Sequence, residues 1–256
     1  MSEPKQEAPS PTFYPLPHPP PDLKSRLKTS YDAIAPAYNA WTQQHNKDRE
    51  ASMLVFLEHL QQKLADKKNA GAAASSKRPK VLELGCGAGG VVTQMLLDAG
   101  IDLVGNDLSE TQLRLARERF AGETEKGEVR WVQGDMTRLE FERGELDGVV
   151  GLYSMIHLPR EEQKVMLQRV AGWVREGGVV LVNFGAEELE GEVIEQWLGD
   201  GGWMYWSGWG EEGSVRMVEE AGFEVVSREV KEEEPPGARF VWIVGRRKGK
   251  GGAESG

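Results

Sequence analysis

The 256-residue chain reads as an α/β protein built on a seven-stranded sheet, mostly parallel, with an antiparallel strand pair near its C-terminus and helices in front. Three observations predict this. The apolar run Val81-Leu82-Glu83-Leu84 enters the glycine cluster Gly85-Cys86-Gly87-Ala88-Gly89-Gly90, and the amphipathic run Val91 to Ala99 follows at once. That order is a buried strand, a tight turn and a helix start. Strand-like and helix-like patterns then alternate as far as Phe184, which implies parallel strands with right-handed crossovers. Finally, the strand patterns Phe223–Glu229 and Arg239–Val244 are separated by little more than Glu232-Glu233-Glu234-Pro235-Pro236-Gly237. No parallel crossover fits so short a link, so those two strands pair antiparallel.

Taken in order, residues 1–22 carry eight of the thirteen prolines between positions 2 and 22. Such a segment does not pack a core and is expected to be a disordered or polyproline tail. Residues 23–79 form a helical cap and linker. A first helix starts after Asp22, a suitable N-cap, and reaches Tyr38. A second covers about Lys47 to Lys67, with Met53, Leu54, Leu57, Leu60 and Leu64 on one face. The stretch from Lys67 to Lys80, rich in Ala and Ser, is a linker.

Residues 80–245 hold the sheet. Strands are expected at 81–84, 101–105, 128–133, 146–152 and 179–184, with helices at 91–99, 110–120 and 161–175 between them. The last helix, Glu212 to Ala221, closes on Gly222 as its C-terminal cap. Residues 246–256 form a basic flexible tail. Between the fifth strand and the last helix, four of the eight tryptophans fall among glycines from Trp197 to Trp209. The reading there is a bendable aromatic loop that lines a substrate, or else a local packing cluster.

The net charge is −10. It is uneven: segments 1–79 and 246–256 are each +3, which leaves −16 for 80–245. A domain so negative repels phosphate backbones and argues against a nucleic-acid substrate. No apolar run approaches a membrane span, and the polar N-terminus lacks the apolar core of a signal peptide. The single cysteine, Cys86, excludes an internal disulfide framework, so the expected compartment is the cytoplasm, or the nucleus. No pattern assigns a metal, and oligomeric state is left open.

Ligands of open α/β sheets bind beyond the carboxyl ends of the strands. Three carboxylates stand there in succession: Glu83, Asp107 and Asp135. The spacing Gly85-x-Gly87-x-x-Gly90 fits a dinucleotide fingerprint, but Glu83 is poorly placed for a pyrophosphate and well placed for a cationic ligand.

The segment Glu83-Leu84-Gly85-Cys86-Gly87-Ala88-Gly89 resembles the first motif of class I S-adenosylmethionine-dependent methyltransferases. That resemblance implies a Rossmann-like sheet and a loop, including Gly85, Cys86 and Gly87, that wraps the methionine end of the cofactor. It implies that Asp107 accepts hydrogen bonds from the ribose hydroxyls, with helix capping as the competing role. Asp135 would accept from the adenine amine, or else cap a turn, while Leu108 and Met136 pack on the adenine. Tyr31-Asp32-x-Ile34-Ala35-x-x-Tyr38 is similar to the segment preceding the first motif, where an aromatic residue, here Tyr31, closes over the cofactor. Leu152 joins the cofactor set at the end of the fourth strand. The following loop would place Tyr153 and His157 between cofactor and a small-molecule acceptor. His157 would be a general base or a structural histidine beneath the loop. The expected activity is methyl transfer by in-line displacement to an oxygen, nitrogen or sulfur atom. The competing readings are an NAD-type oxidoreductase and a non-catalytic partner module with the same fold.

Overall fold

The structure, a computed structural model, describes residues 12–69, 78–233 and 237–249. The expectations for the extreme N-terminus, the Ala/Ser linker, the loop tip at 234–236 and the end of the basic tail lie outside those residues.

Seven strands form the main sheet: β2 (Lys80–Leu84), β3 (Asp102–Asp107), β4 (Val129–Gln133), β5 (Leu146–Gly151), β6 (Val174–Gly185), β9 (Phe223–Glu232) and β10 (Arg239–Arg247). Their spatial order is β4-β3-β2-β5-β6-β10-β9. The first four pairs are parallel, and β10 runs antiparallel to both β6 and β9. β2 lies at the centre of the parallel half, and its residues are almost wholly buried because helices cover both faces. On one face, Met53, Phe56 and Leu60 of helix α2 (Lys47–Asn69) and Leu96 of α3 (Val91–Asp98) pack on Val81, Leu103 and Leu181. On the other, Met166, Leu167 and Val170 of α6 (Arg160–Trp173) and Val218 of α7 (Gly210–Glu220) pack on Leu82, Val149 and Val182. Helices α4 (Glu110–Arg119) and α5 (Ala121–Glu125) link β3 to β4.

Two features depart from the sequence expectation. Val174 and Arg175 begin β6 instead of ending the preceding helix, since Val174 pairs with Leu146 of β5. A second sheet is also present: β1 (Thr12–Pro15), β7 (Glu188–Glu195) and β8 (Trp203–Trp209), antiparallel in the order β1-β7-β8. Thr12–Pro15 is therefore strand, where a disordered tail is expected. Pro15 is tolerated because β1 is an edge. Likewise 203–209 is a strand and not a loop. Gly199, Gly201 and Gly202 belong to the turn before it, and the strand itself is aromatic-rich, as strands prefer.

This small sheet supports helix α1 (Leu23–Thr42), whose Leu23, Leu27 and Ile34 pack on Val193, Trp203, Met204 and Tyr205. Asp22 precedes α1 without making a side-chain cap, and the helix continues through Pro36. Together α1 and the small sheet form a roof over the carboxyl ends of β2 to β5.

Candidate functional site

The glycine turn begins the site. Gly85 and Gly87 adopt φ of +66° and +57°, which disfavours any residue with a Cβ. A Cβ on Gly85 would also lie 2.5 Å from the Cβ of Ser154. The turn is fixed to β3 by Cys86 N–H, which donates to the Asn106 carbonyl at 2.9 Å. It is also fixed by Gly87 N–H, which donates to Asp107 Oδ2 at 2.8 Å.

The three strand-end carboxylates have different surroundings. Glu83 is buried and accepts a hydrogen bond from Thr93 Oγ1 at 2.7 Å. Burial pushes its pKa up to about 8, with the Asp107 charge adding to the effect and the Thr93 bond opposing it. Asp107 accepts from Ser109 N–H at 2.8 Å as well as from Gly87. Its pKa is raised to about 6 by burial, against the pull of those backbone amides. The helix cap that competes for Asp107 is made by Ser109, whose Oγ accepts from Gln112 N–H at 3.1 Å. Asp135 does cap a turn, accepting from Thr137 N–H at 2.9 Å, and it pairs with Lys24 Nζ at 3.0 Å. Burial pushes its pKa up, but the Thr137 bonds and the Lys24 ammonium outweigh it, so the carboxyl titrates below the usual range.

His157 sits in the loop after β5 with both ring nitrogens engaged. Nδ1 lies 2.8 Å from the Tyr205 carbonyl oxygen, and Nε2 lies 2.8 Å from Tyr31 Oη. A carbonyl only accepts, so Nδ1 carries the proton and Nε2 accepts from the tyrosine. Burial lowers the His157 pKa to about 4, with the Tyr205 carbonyl opposing, so the ring is neutral at physiological pH. Tyr31 is held well above the ordinary phenol value, chiefly by burial. Tyr31 thus faces the histidine expected to be a base, beyond its expected place over a ligand.

Tyr153 is turned differently. It adopts φ of +52°, and its hydroxyl donates to Glu233. Its ring lies under the Arg49 guanidinium, 4.4 Å from centroid to Cζ, and edge-on to Phe240 and Trp242. Its phenol therefore points to the β9–β10 end, away from the Tyr31–His157 pair, while its ring still borders the site. Cys86 is buried, and burial pushes its thiol pKa up, which suits a small loop residue and not a nucleophile.

Two adjoining cavities occupy this region. The first is bordered by Tyr31, Gly85, Gly87, Asp107, Leu108, Asp135, Met136 and His157. The second is bordered by Arg49, Glu83, Cys86 and Leu152. Tyr38, Gly85, Gly87 and Tyr153 border both. Every expected site residue thus borders one or the other of these two neighbouring cavities. The first cavity holds about 80 Å³, less than the roughly 300–1,000 Å³ typical of a ligand pocket, and Lys24, Leu27, Tyr31 and Tyr38 of α1 form part of its wall. Besides Lys24 and Tyr31, α1 is held by Asp32, whose Oδ1 accepts from Ser109 Oγ at 2.6 Å and from Thr111 N–H at 3.1 Å. Ser30 Oγ donates to the Gly201 carbonyl at 2.9 Å and accepts from Trp203 N–H at 2.6 Å.

Several site residues escape sequence reasoning. Lys24 and Arg49 lie in helices whose apolar periodicity gives them no signal, and Asp32 stands in the quoted Tyr31–Tyr38 motif without an assigned role. Gln112 sits inside an ordinary amphipathic helix, and Ser154 in a loop. Both border the first cavity, and among the described residues the Gln112 amide and Ser154 hydroxyl lack hydrogen-bond partners. Of the tryptophans, Trp206 packs beside His157 at 6.3 Å between centroids, and Trp197 packs against Tyr38 at 5.8 Å. Trp203 faces the α1 core, where Arg26 lies over its ring.

Comparison with known proteins gives a consistent relationship. Residues 81–178 match the family model described as a methyltransferase domain. An O-methyltransferase of Aspergillus nomiae is 23% identical over 130 residues, covering 51% of this chain and 55% of the relative. The chain thus matches about half the length of that curated relative. Among solved structures, the 1,6-didemethyltoxoflavin N1-methyltransferase of Burkholderia thailandensis, bound to its substrate and S-adenosylhomocysteine, superposes with a TM-score of 0.65. It is 17% identical and the match covers 97% of this chain and 99% of that one. The [4+2]-cyclase SpnF superposes with a TM-score of 0.63 at 14% identity, covering 90% of this chain and 98% of that one. The Rossmann-like fold of class I methyltransferases is therefore that of this chain, including the roof.

Proposed function

We propose that this chain, which carries a methyltransferase domain at residues 81–178, transfers a methyl group from S-adenosylmethionine to a small-molecule acceptor. One observation carries the reading: the glycine turn at Gly85 and Gly87 borders both cavities, with Glu83 on one and Asp107 and the Tyr31–His157 pair on the other. The donor set fits this cofactor. Buried carboxylates suit a ligand with a sulfonium and an ammonium, and would repel a dinucleotide's pyrophosphate. Gly85 and Gly87 leave the turn without side chains where a ligand approaches closely.

S-adenosylmethionine, when bound, supplies an electrophilic methyl group on a sulfonium. Glu83 and the turn at Gly85, Cys86 and Gly87 would hold its amino-acid end. Asp107 would accept from ribose hydroxyls with the lone pairs its backbone bonds leave free. Leu108, Asp135 and Met136 would border the adenine, with Leu152 at the opposite edge.

The Tyr31–His157 pair supports an acceptor that loses a proton, such as an alcohol or phenol. As the acceptor oxygen attacks, its proton passes to Tyr31 Oη, and the tyrosine's own proton passes to His157 Nε2. The imidazolium so formed keeps its Nδ1–H bond to the Tyr205 carbonyl. A pKa lowered to about 4 keeps the ring unprotonated but makes it a weak base, so the proton moves to Nε2 only as the oxygen–methyl bond forms. Trp197 and Trp206 pack behind Tyr38 and His157 and give that side of the cavity an apolar backing. The negative charge of residues 80–245 supports a small molecule over a nucleic acid, and one buried cysteine supports a reducing, cytoplasmic setting.

Calorimetric titration with S-adenosylhomocysteine and, separately, NADH tests the cofactor. Binding of the first alone is expected, and binding of NADH alone would sink the reading. Screening alcohols, phenols and amines with labelled methyl donor then identifies the acceptor.

A further inference from the structure

We propose that the side-chain amide of Gln112 is a ligand-binding group that holds the ribose hydroxyls of a bound adenosyl ligand beside Asp107. The inference rests on the cofactor reading above and adds a residue to it. Gln112 is 1% exposed, yet among the described residues neither its Nε2 nor its Oε1 has a hydrogen-bond partner. The side chain borders the first cavity. A Cβ placed on Gly87 would lie 3.9 Å from Gln112 Oε1, so the amide overlooks the glycine turn. Gly87 N–H in turn donates to Asp107 Oδ2, so amide and carboxylate flank the same turn.

The orphan amide has no structural duty. The N-terminus of α4 is capped by Ser109 Oγ, which serves the backbone N–H of Gln112 itself. A buried polar group without a partner destabilises the free protein, and an apolar side chain of the same shape would avoid that cost. Its chemistry fits a vicinal diol. Asp107 only accepts, and each of its oxygens already takes one backbone N–H. An amide both donates and accepts, so it complements a hydroxyl pair that the carboxylate alone leaves half-satisfied. The adenine end is bordered instead by Leu108, Asp135 and Met136, and the amino-acid end by Glu83.

The test is a thermodynamic cycle on the full chain. Wild type and Gln112→Met are titrated calorimetrically with 5′-methylthioadenosine and with its 2′-deoxy and 3′-deoxy forms. The expected result is that Gln112→Met weakens the parent ligand about tenfold or more. One of the two deoxy penalties, about tenfold in wild type, should shrink below about threefold in the variant. The unliganded variant should melt at or above the wild-type temperature. Gln112→Leu repeats the cycle should the methionine variant fail to fold. Unchanged affinity for methylthioadenosine, or an equal loss for all three ligands, overturns the assignment. If wild type binds S-adenosylhomocysteine and the cycle shows no coupling, the amide assignment falls and the cofactor reading stands. If wild type binds no adenosyl ligand, both fall.

Discussion

Tyr31 Oη and His157 Nε2 stand 2.8 Å apart and join α1 to the loop after β5. The contact ties a roof element to the histidine that the proposed reaction uses as its proton acceptor. Tyr31→Phe and His157→Ala should each lower kcat for an oxygen acceptor by about 10²–10⁴-fold. S-adenosylhomocysteine affinity should change less than about threefold. Steady-state kinetics with calorimetry checks both; equal losses of kcat and cofactor affinity would assign the pair to cofactor binding. An amine acceptor should be affected only mildly.

Ligand binding should depend on pH through Glu83 and Asp107. Both carboxyls have folded pKa values raised, to about 8 and about 6, so the free folded protein holds protons that the unfolded chain has released. Their contribution therefore makes the unliganded protein less stable as pH rises from about 5 to about 8. A cationic or hydroxyl-donating ligand prefers the ionised carboxylates. The melting-temperature gain from S-adenosylhomocysteine should thus be larger at pH 8.5 than at pH 6.5, and binding near pH 7.5 should release protons. Calorimetry in buffers of different ionisation enthalpy measures that release; proton uptake would contradict it.

Deleting residues 1–20 should destabilise the protein. Phe13 and Tyr14 pair with Ile194 and Val193 of β7, and Leu16 N–H donates to the Gly191 carbonyl at 2.8 Å. Loss of that edge strand should lower Tm by at least about 4 °C, since about 1 kcal/mol shifts a domain of this size by about 2–4 °C. An unchanged Tm by scanning calorimetry would mean that β1 contributes nothing to the fold.

Asp32→Ala should loosen the roof. Its carboxylate receives Ser109 Oγ and Thr111 N–H, and losing it leaves these groups without that partner. The cost should be about 1–3 kcal/mol of stability. S-adenosylhomocysteine should dissociate at least about fivefold faster in stopped-flow fluorescence. A slower release would show that α1 does not gate the cavity.

The main sheet was readable because its signals are local: the apolar runs at 81–84 and 146–151, the glycine turn, and a link near 233–238 too short for a crossover. The residues expected around the cofactor were legible for a similar reason: apart from Tyr31 in α1, they stand at strand ends or in the turns that follow them. The small sheet was not. β1 pairs with a strand some 180 positions away, and no local pattern in a proline-rich segment announces such a partner. Along β8, Met204 and Tyr205 are both buried because elements cover both faces, so the alternation that marks a strand is missing. The direction of Tyr153 depends on Glu233, and the pairing of Tyr31 with His157 on the path of α1. Neither is written in spacing. Gln112 carries a signal only as an unsatisfied atom, which exists only in three dimensions.

The position of β10 bears on how the chain is made. The last strand in the sequence is the next-to-last in the sheet, wedged between β6 and β9. Until residues 239–247 have left the ribosome, β6 shows a bare apolar edge and β9 has no sheet to join. A transcript truncated before this strand would thus yield a chain with almost the whole ligand site encoded and an open edge that invites aggregation.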